Sequence, residues 1–178
     1  MNHLVRMQGV DARNVALLAL AVLMLCGGGD ARSQAMQAQE TQGQAMQSDV
    51  ARRFVGVWRY VGTRIDGKPR PNRGANPKGF IFYTESGAMA AQIAPDRENK
   101  MAGQEPTPDE AKAALADYVS YFGTYTVDAR AGTVTHHRQA SVQPGPLTDY
   151  VRSYEFTGDR LILRPVGTTQ EVVWERIK

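Results

Sequence analysis

From Phe54 to Lys178 the sequence alternates short β-prone runs with turn signals, and this spacing constrains the fold more than any other feature. The runs fall at 57–64, 79–84, 88–93, 121–128, 133–140, 147–156, 160–165 and 171–177. Gly87, Gly132 and the pair Gly158-Asp159 stand where hairpin turns need residues that tolerate positive φ. Eight runs joined almost entirely by hairpins predict an all-β chain, an eight-stranded antiparallel up-and-down barrel. Closure leaves no exposed sheet edge. A two-sheet sandwich is the competing architecture. One helix is inserted: Thr107 caps it, Pro108 takes the first helical position, and Glu110 completes a capping box ahead of an alanine-rich stretch.

The first 35 residues read as a secretory signal peptide. Arg6 and Arg13 precede twelve apolar residues, 15–26, which end at Gly27, Gly28 and Gly29. A positive start, an apolar run and small residues make up an export signal, and Ser33-Gln34-Ala35 offers small residues for cleavage before Met36. Gly29-Asp30-Ala31 is an alternative cut. Cys26 suggests a lipid-anchored form, although Leu25 directly before it fits a lipoprotein signal badly. The expected location is periplasmic or secreted. Residues 36–49, rich in Gln, Ala and Met, read as a flexible linker, with Gln34-Ala35-Met36-Gln37 recurring as Gln44-Ala45-Met46-Gln47. The barrel domain then occupies 50–178, and a short helix over 49–54 leads into it.

Charge and composition narrow the partners. Twenty-one basic against 18 acidic residues leave a net charge of +3, too small and too dispersed for a nucleic-acid stripe. No apolar run reaches the roughly 20 residues of a membrane-spanning helix. The single cysteine rules out an internal disulfide. His136 and His137 are neighbours on a strand and point oppositely, so no metal site is expected from them, and no cofactor is expected either.

Several motifs then come into view together. Phe54-Val55-Gly56-Val57-Trp58 resembles the glycine-x-tryptophan start of the lipocalins. The runs from Gly79 to Thr84 and Gly87 to Ile93, with Tyr121-Phe122-Gly123-Thr124-Tyr125, Gly132-Thr133-Val134-Thr135-His136-His137 and Val173-Trp174-Glu175-Arg176, are similar to those of the lipocalin-like domain family of bacterial and fungal proteins. The resemblance spans residues 54–178. It implies a barrel closed at one end, where Trp58 lies beside an arginine from the last strands, here Arg176. It also implies a first loop that lids the mouth, and this one carries Arg64, Lys68, Arg70, Arg73 and Lys78 against Asp66 alone. A basic lid favours anionic ligands or lipid headgroups. Fold resemblance by itself does not assign a function.

Strand alternation selects the side chains expected to face a cavity. Tyr154 and Phe156 carry Arg152 inward with them, and Val134 carries His136 and Arg138. Met89, with Ala91 and Ile93, forms an apolar face, and Tyr121 and Tyr125 are placed near the helix exit. The expected ligand-binding set is therefore His136, Arg138, Arg152, Tyr154, Phe156, Met89, Tyr121 and Tyr125. The leading reading is an exported binder of a small apolar or amphipathic molecule. The second is a cofactor-independent isomerase or cyclase with His136 as acid or base; no nucleophile elbow is present. The third is a barrel packed shut that acts through its surface.

Overall fold

The computed structural model describes residues 30–178. The apolar run 15–26, Cys26 and most of the expected signal peptide lie outside the described residues. Helix α1 (Asp30–Phe54) contains the stretch expected as a flexible linker, 36–49. Gln, Ala, Met and Glu are good helix formers, so the missing apolar stripe leaves an exposed helix instead of a coil. No helix among the described residues is long and apolar enough to cross a membrane. Two compact units divide at Thr41 and Gln42.

In the unit from Gln42 onward, a nine-stranded antiparallel sheet closes on itself. Strand β1 (Gly56–Ile65) pairs with β3 (Lys78–Tyr83) through its first half and with β9 (Gln170–Arg176) through most of its length. The ladder with β9 slips register at a bulge between Tyr60 and Gly62. The two-residue β2 (Lys68–Pro69) folds back on the end of β1. The circuit continues through β4 (Ala88–Ala94), β5 (Val119–Asp128), β6 (Thr133–Ser141), β7 (Tyr150–Thr157) and β8 (Arg160–Pro165). The eight long strands match the eight sequence runs, each displaced by at most three residues at its ends. β7 differs most: it begins at Tyr150, because Pro144, Gly145 and Pro146 keep the preceding residues out of the ladder. Helix α2 (Pro108–Leu115) starts with the capping box expected at Thr107 and Glu110.

The inward faces follow the period of two. In β3 the burial alternates strictly, resolving a run that reads as apolar on both sides: Ile81 and Tyr83 face in, Phe80 and Phe82 face out. Phe54, the last residue of α1, plugs one end of the barrel. Its ring is fully buried, with centroids 5.3 Å from Tyr83, 5.1 Å from Tyr154 and 5.0 Å from Phe156. Trp58 Nε1–H donates to the Phe54 carbonyl at 2.8 Å. Further back on α1, Gln47 bonds the Val127 carbonyl and accepts from Ala129 N–H at 2.8 Å, which ties the helix to the β5–β6 turn.

Candidate functional site

The closed end explains the glycine-x-tryptophan start in physical terms. Trp58 and Arg176 are direct cross-strand partners, and the Arg176 guanidinium lies 4.0 Å above the Trp58 ring. Arg176 Nη1 also donates to the Val55 carbonyl at 2.7 Å. A Cβ on Gly56 would stand 2.8 Å from that Nη1, on a backbone with φ of +129°. Glycine at 56 therefore makes room for the arginine that stacks on Trp58.

Above this plug, His136 crosses the middle of the barrel. It has no exposed surface, and both ring nitrogens are engaged: Nε2 with the Tyr83 hydroxyl at 2.7 Å and Nδ1 with the Tyr121 hydroxyl at 2.9 Å. A neutral imidazole suits this arrangement, donating to one hydroxyl and accepting from the other. Burial holds its pKa well below the usual histidine range, with the charge of Arg152 adding to the effect. Burial likewise raises the Tyr83 pKa well above normal. His137 points the other way, its Nδ1 2.8 Å from the Asp149 carboxylate and its Nε2 2.9 Å from the Thr126 hydroxyl.

The opposite end holds a cavity of about 70 Å³. Its walls are Ile81, Ala91, Ile93, Val119, Leu163 and Val172. Its polar lining is Thr63, Arg73, Tyr121, Arg152, Gln170 and Trp174. The first loop supplies Arg73 from the 3₁₀ turn Pro71–Arg73. That turn is pinned on each side. Arg70 N–H donates to the Thr63 carbonyl at 2.9 Å, and Asp96 N–H donates to the Arg73 carbonyl at 2.7 Å. The Arg70 guanidinium reaches Asp117 at 3.2 Å, just beyond α2. Arg97 caps that helix by donating to the carbonyls of Ala113, Ala114 and Ala116.

Of the eight side chains expected to meet a ligand, Arg152 and Tyr121 line this cavity. The other six do not. Tyr154, Phe156, Tyr125 and Met89 belong to the aromatic packing around Phe54 and the closed end, because the strands run the full length of the barrel and the inward face alone does not say which end a residue occupies. His136 lies beneath the cavity, enclosed by its tyrosines. Arg138 sits at the edge, because β6 and β7 pair only as far as His136 and Tyr150 and then diverge. Its guanidinium fills the gap, donating to the Thr148 and Pro146 carbonyls at 2.7 and 3.2 Å and lying 3.8 Å over the Tyr150 ring.

Strand alternation assigns no binding role to four polar residues of the cavity: Thr63, Arg73, Gln170 and Trp174. Arg73 had a signal, as one of five basic residues in the first loop. Trp174 had the inward parity of β9.

The lipocalin-like domain family model matches residues 55–177, the whole barrel. Among solved structures, a DUF4847 family protein from Bacteroides vulgatus is similar at 14% identity and a TM-score of 0.41, over 70% of this chain and 94% of that one. The fluorescent protein UnaG is similar at 12% identity and a TM-score of 0.32, over 71% of this chain and 99% of that one. No curated protein matches the chain. With nearly the entire barrel covered by one family model, this chain belongs to the lipocalin-like domain family.

Proposed function

We propose that this protein binds a small apolar or amphipathic molecule in the mouth of its barrel, after export from the cytoplasm. The observation that carries the reading is the cavity itself: aliphatic walls from β3, β4, β5, β8 and β9, with a few polar groups converging under a pinned first loop. That is the usual composition of a ligand site. Its volume of about 70 Å³ is below the roughly 300 Å³ of sites for drug-sized ligands. It suits a compact molecule, or one end of a longer one that leaves through the mouth. Support for export comes from the apolar run 15–26 and the small residues after it. Both ring nitrogens of His136 are held by tyrosines, so the role of catalytic base has no free nitrogen to act through.

Native mass spectrometry of the gently purified protein, set against its denatured mass, tests the reading. The expected result is an extra mass that leaves on denaturation and is lost in Ala91→Leu, which fills the cavity from a wall position 2% exposed. A bare mass, together with no binding of an environment-sensitive apolar dye, overturns it.

A further inference from the structure

Three buried N–H donors of the cavity lining have no hydrogen-bond partner. Arg73 is 5% exposed, and neither its Nε nor its Nη1 has a hydrogen-bond partner. Trp174 is 2% exposed, and its Nε1–H is also without one. Arg152 lines the same space and makes no hydrogen bond or ion pair among the described residues; its contact is the Tyr150 ring, 4.9 Å away. No aspartate or glutamate is among the described residues lining the cavity. Arg73 has one neutral neighbour, Tyr60, whose ring lies 5.7 Å from the guanidinium and whose hydroxyl, 2.7 Å from that of Thr63, is also close enough to share a hydrogen bond with Arg73; the nearest carboxylate to act on it, Asp117, is paired with Arg70. Burial accordingly lowers the Arg73 pKa.

Burying a guanidinium without an acceptor costs several kcal/mol. The chain nevertheless fixes this one in place through backbone hydrogen bonds on both sides of it. Each buried atom without a partner is an N–H donor and two of the three belong to a guanidinium, so what complements them is an acceptor carrying negative charge. A carboxylate offers two oxygens to the guanidinium fork, and one negative charge leaves the rest of the molecule free to be apolar. Ile81, Ala91 and Leu163 give that remainder an aliphatic wall, where a phosphate would leave oxygens facing hydrocarbon. We propose that the cavity recognises a compact monocarboxylate, with Arg73 and Arg152 holding the carboxylate and Trp174 Nε1–H donating to it. This rests on the cavity-binding reading and names its ligand class.

The test uses benzoate and hexanoate as probes, with benzyl alcohol, hexanol and inorganic phosphate as comparators, on the whole mature protein stripped of any bound molecule by refolding. Binding is read by calorimetry and by the two indole N–H signals in ¹⁵N NMR, assigned with Trp174→Phe. The acids are expected to bind at least about tenfold more tightly than the matched alcohols, a difference of about 1.4 kcal/mol. They are expected to move the Trp174 signal and leave that of Trp58, which is bonded to the Phe54 carbonyl. Arg73→Met and Arg152→Met should each weaken the acids by about tenfold or more and leave the alcohols unchanged, whereas Lys100→Met in the exposed 95–107 loop should change neither. Because the indole shift is read in the wild-type chain, the test survives a variant that does not fold. Alcohols binding as well as acids overturns the carboxylate site and leaves the cavity-binding reading intact. Phosphate binding in preference to both, or an unmoved Trp174 signal, also overturns it. Failure of every probe at millimolar concentration overturns it as well, and a bare native mass then removes the underlying reading too.

Discussion

At the scale of single residues, His136 shows how alternation can place a side chain correctly and still misjudge its task. Its inward position follows from the parity of β6, but its partners are hydroxyls from β3 and β5 that no local pattern pairs with it. The neutral, buried ring gives stability a defined dependence on pH. In the unfolded chain the histidine titrates near its ordinary value of about 6.5. In the folded barrel its pKa is depressed, so acidification protonates the unfolded state first and draws the equilibrium toward it. The contribution is fully present above about pH 6.5 and is lost as pH falls toward the folded value. Between about pH 7.5 and 5.5, His136 should cost the fold about 1.4 kcal/mol, read from denaturant midpoints. The carboxylates held below their usual range, Glu110, Glu155 and Asp159, lose their contributions at lower pH than this window. In His136→Gln, whose amide can both donate and accept, that part of the pH slope should disappear; an unchanged slope would assign it elsewhere.

At the scale of elements, two glycines on bulged strands make opposite demands. β5 and β6 slip register between Phe122 opposite Ala140 and Gly123 opposite Arg138, leaving Gln139 over. The strands come so close there that a Cβ at 123 would stand 2.0 Å from the His137 carbonyl oxygen, which is backbone and cannot swing aside. Gly123→Ala should therefore lower stability by about 2 kcal/mol or more and loosen amide-exchange protection along the β5–β6 ladder. Gly62, beside the β1 bulge, has nothing within 4 Å of the equivalent position. Gly62→Ala should change stability by no more than about 1 kcal/mol, toward greater stability. Equal losses at both sites would show that the bulges, and not the close approach, set the requirement.

For the whole molecule, the barrel depends on a residue outside its strands. Phe54 ends α1, yet it plugs the aromatic cluster of the closed end and supplies the carbonyl that receives Trp58 Nε1–H. A chain beginning at Gln42 keeps Gln47, Val50 and Phe54 with the compact unit they belong to. It should melt with the chain that begins at Met36. A chain beginning at Val55 keeps every strand but loses the plug, and should be less stable by about 3–5 kcal/mol, the range for emptying a buried phenylalanine site. Equal stability of the two truncated chains would show that the strands alone close the barrel. Thermal or denaturant unfolding of the three chains reads this directly.

What the sequence determined by itself is local or periodic. The eight long strands, the hairpins at Gly87, Gly132 and Gly158, and the Thr107–Glu110 cap each depend on a few neighbouring residues, so they are legible without a fold, whereas the two-residue β2 is not. Composition alone leaves residues 36–49 without an apolar face to dock by, but good helix formers still make a helix there. Which inward side chains line the cavity was decided only by the tertiary structure. Arg152 and Tyr154 share a face of β7, yet one lines the mouth cavity and the other packs against Phe54. Arg73 enters from a loop, where no periodicity applies, on a turn held by the bond from Arg70 N–H to the Thr63 carbonyl and the bond from Asp96 N–H to the Arg73 carbonyl, pairs 7 and 23 positions apart in sequence. Depth along the barrel axis and the folding-in of a loop are set by strand tilt, closure and long-range hydrogen bonds, and a period of two carries no information about any of them.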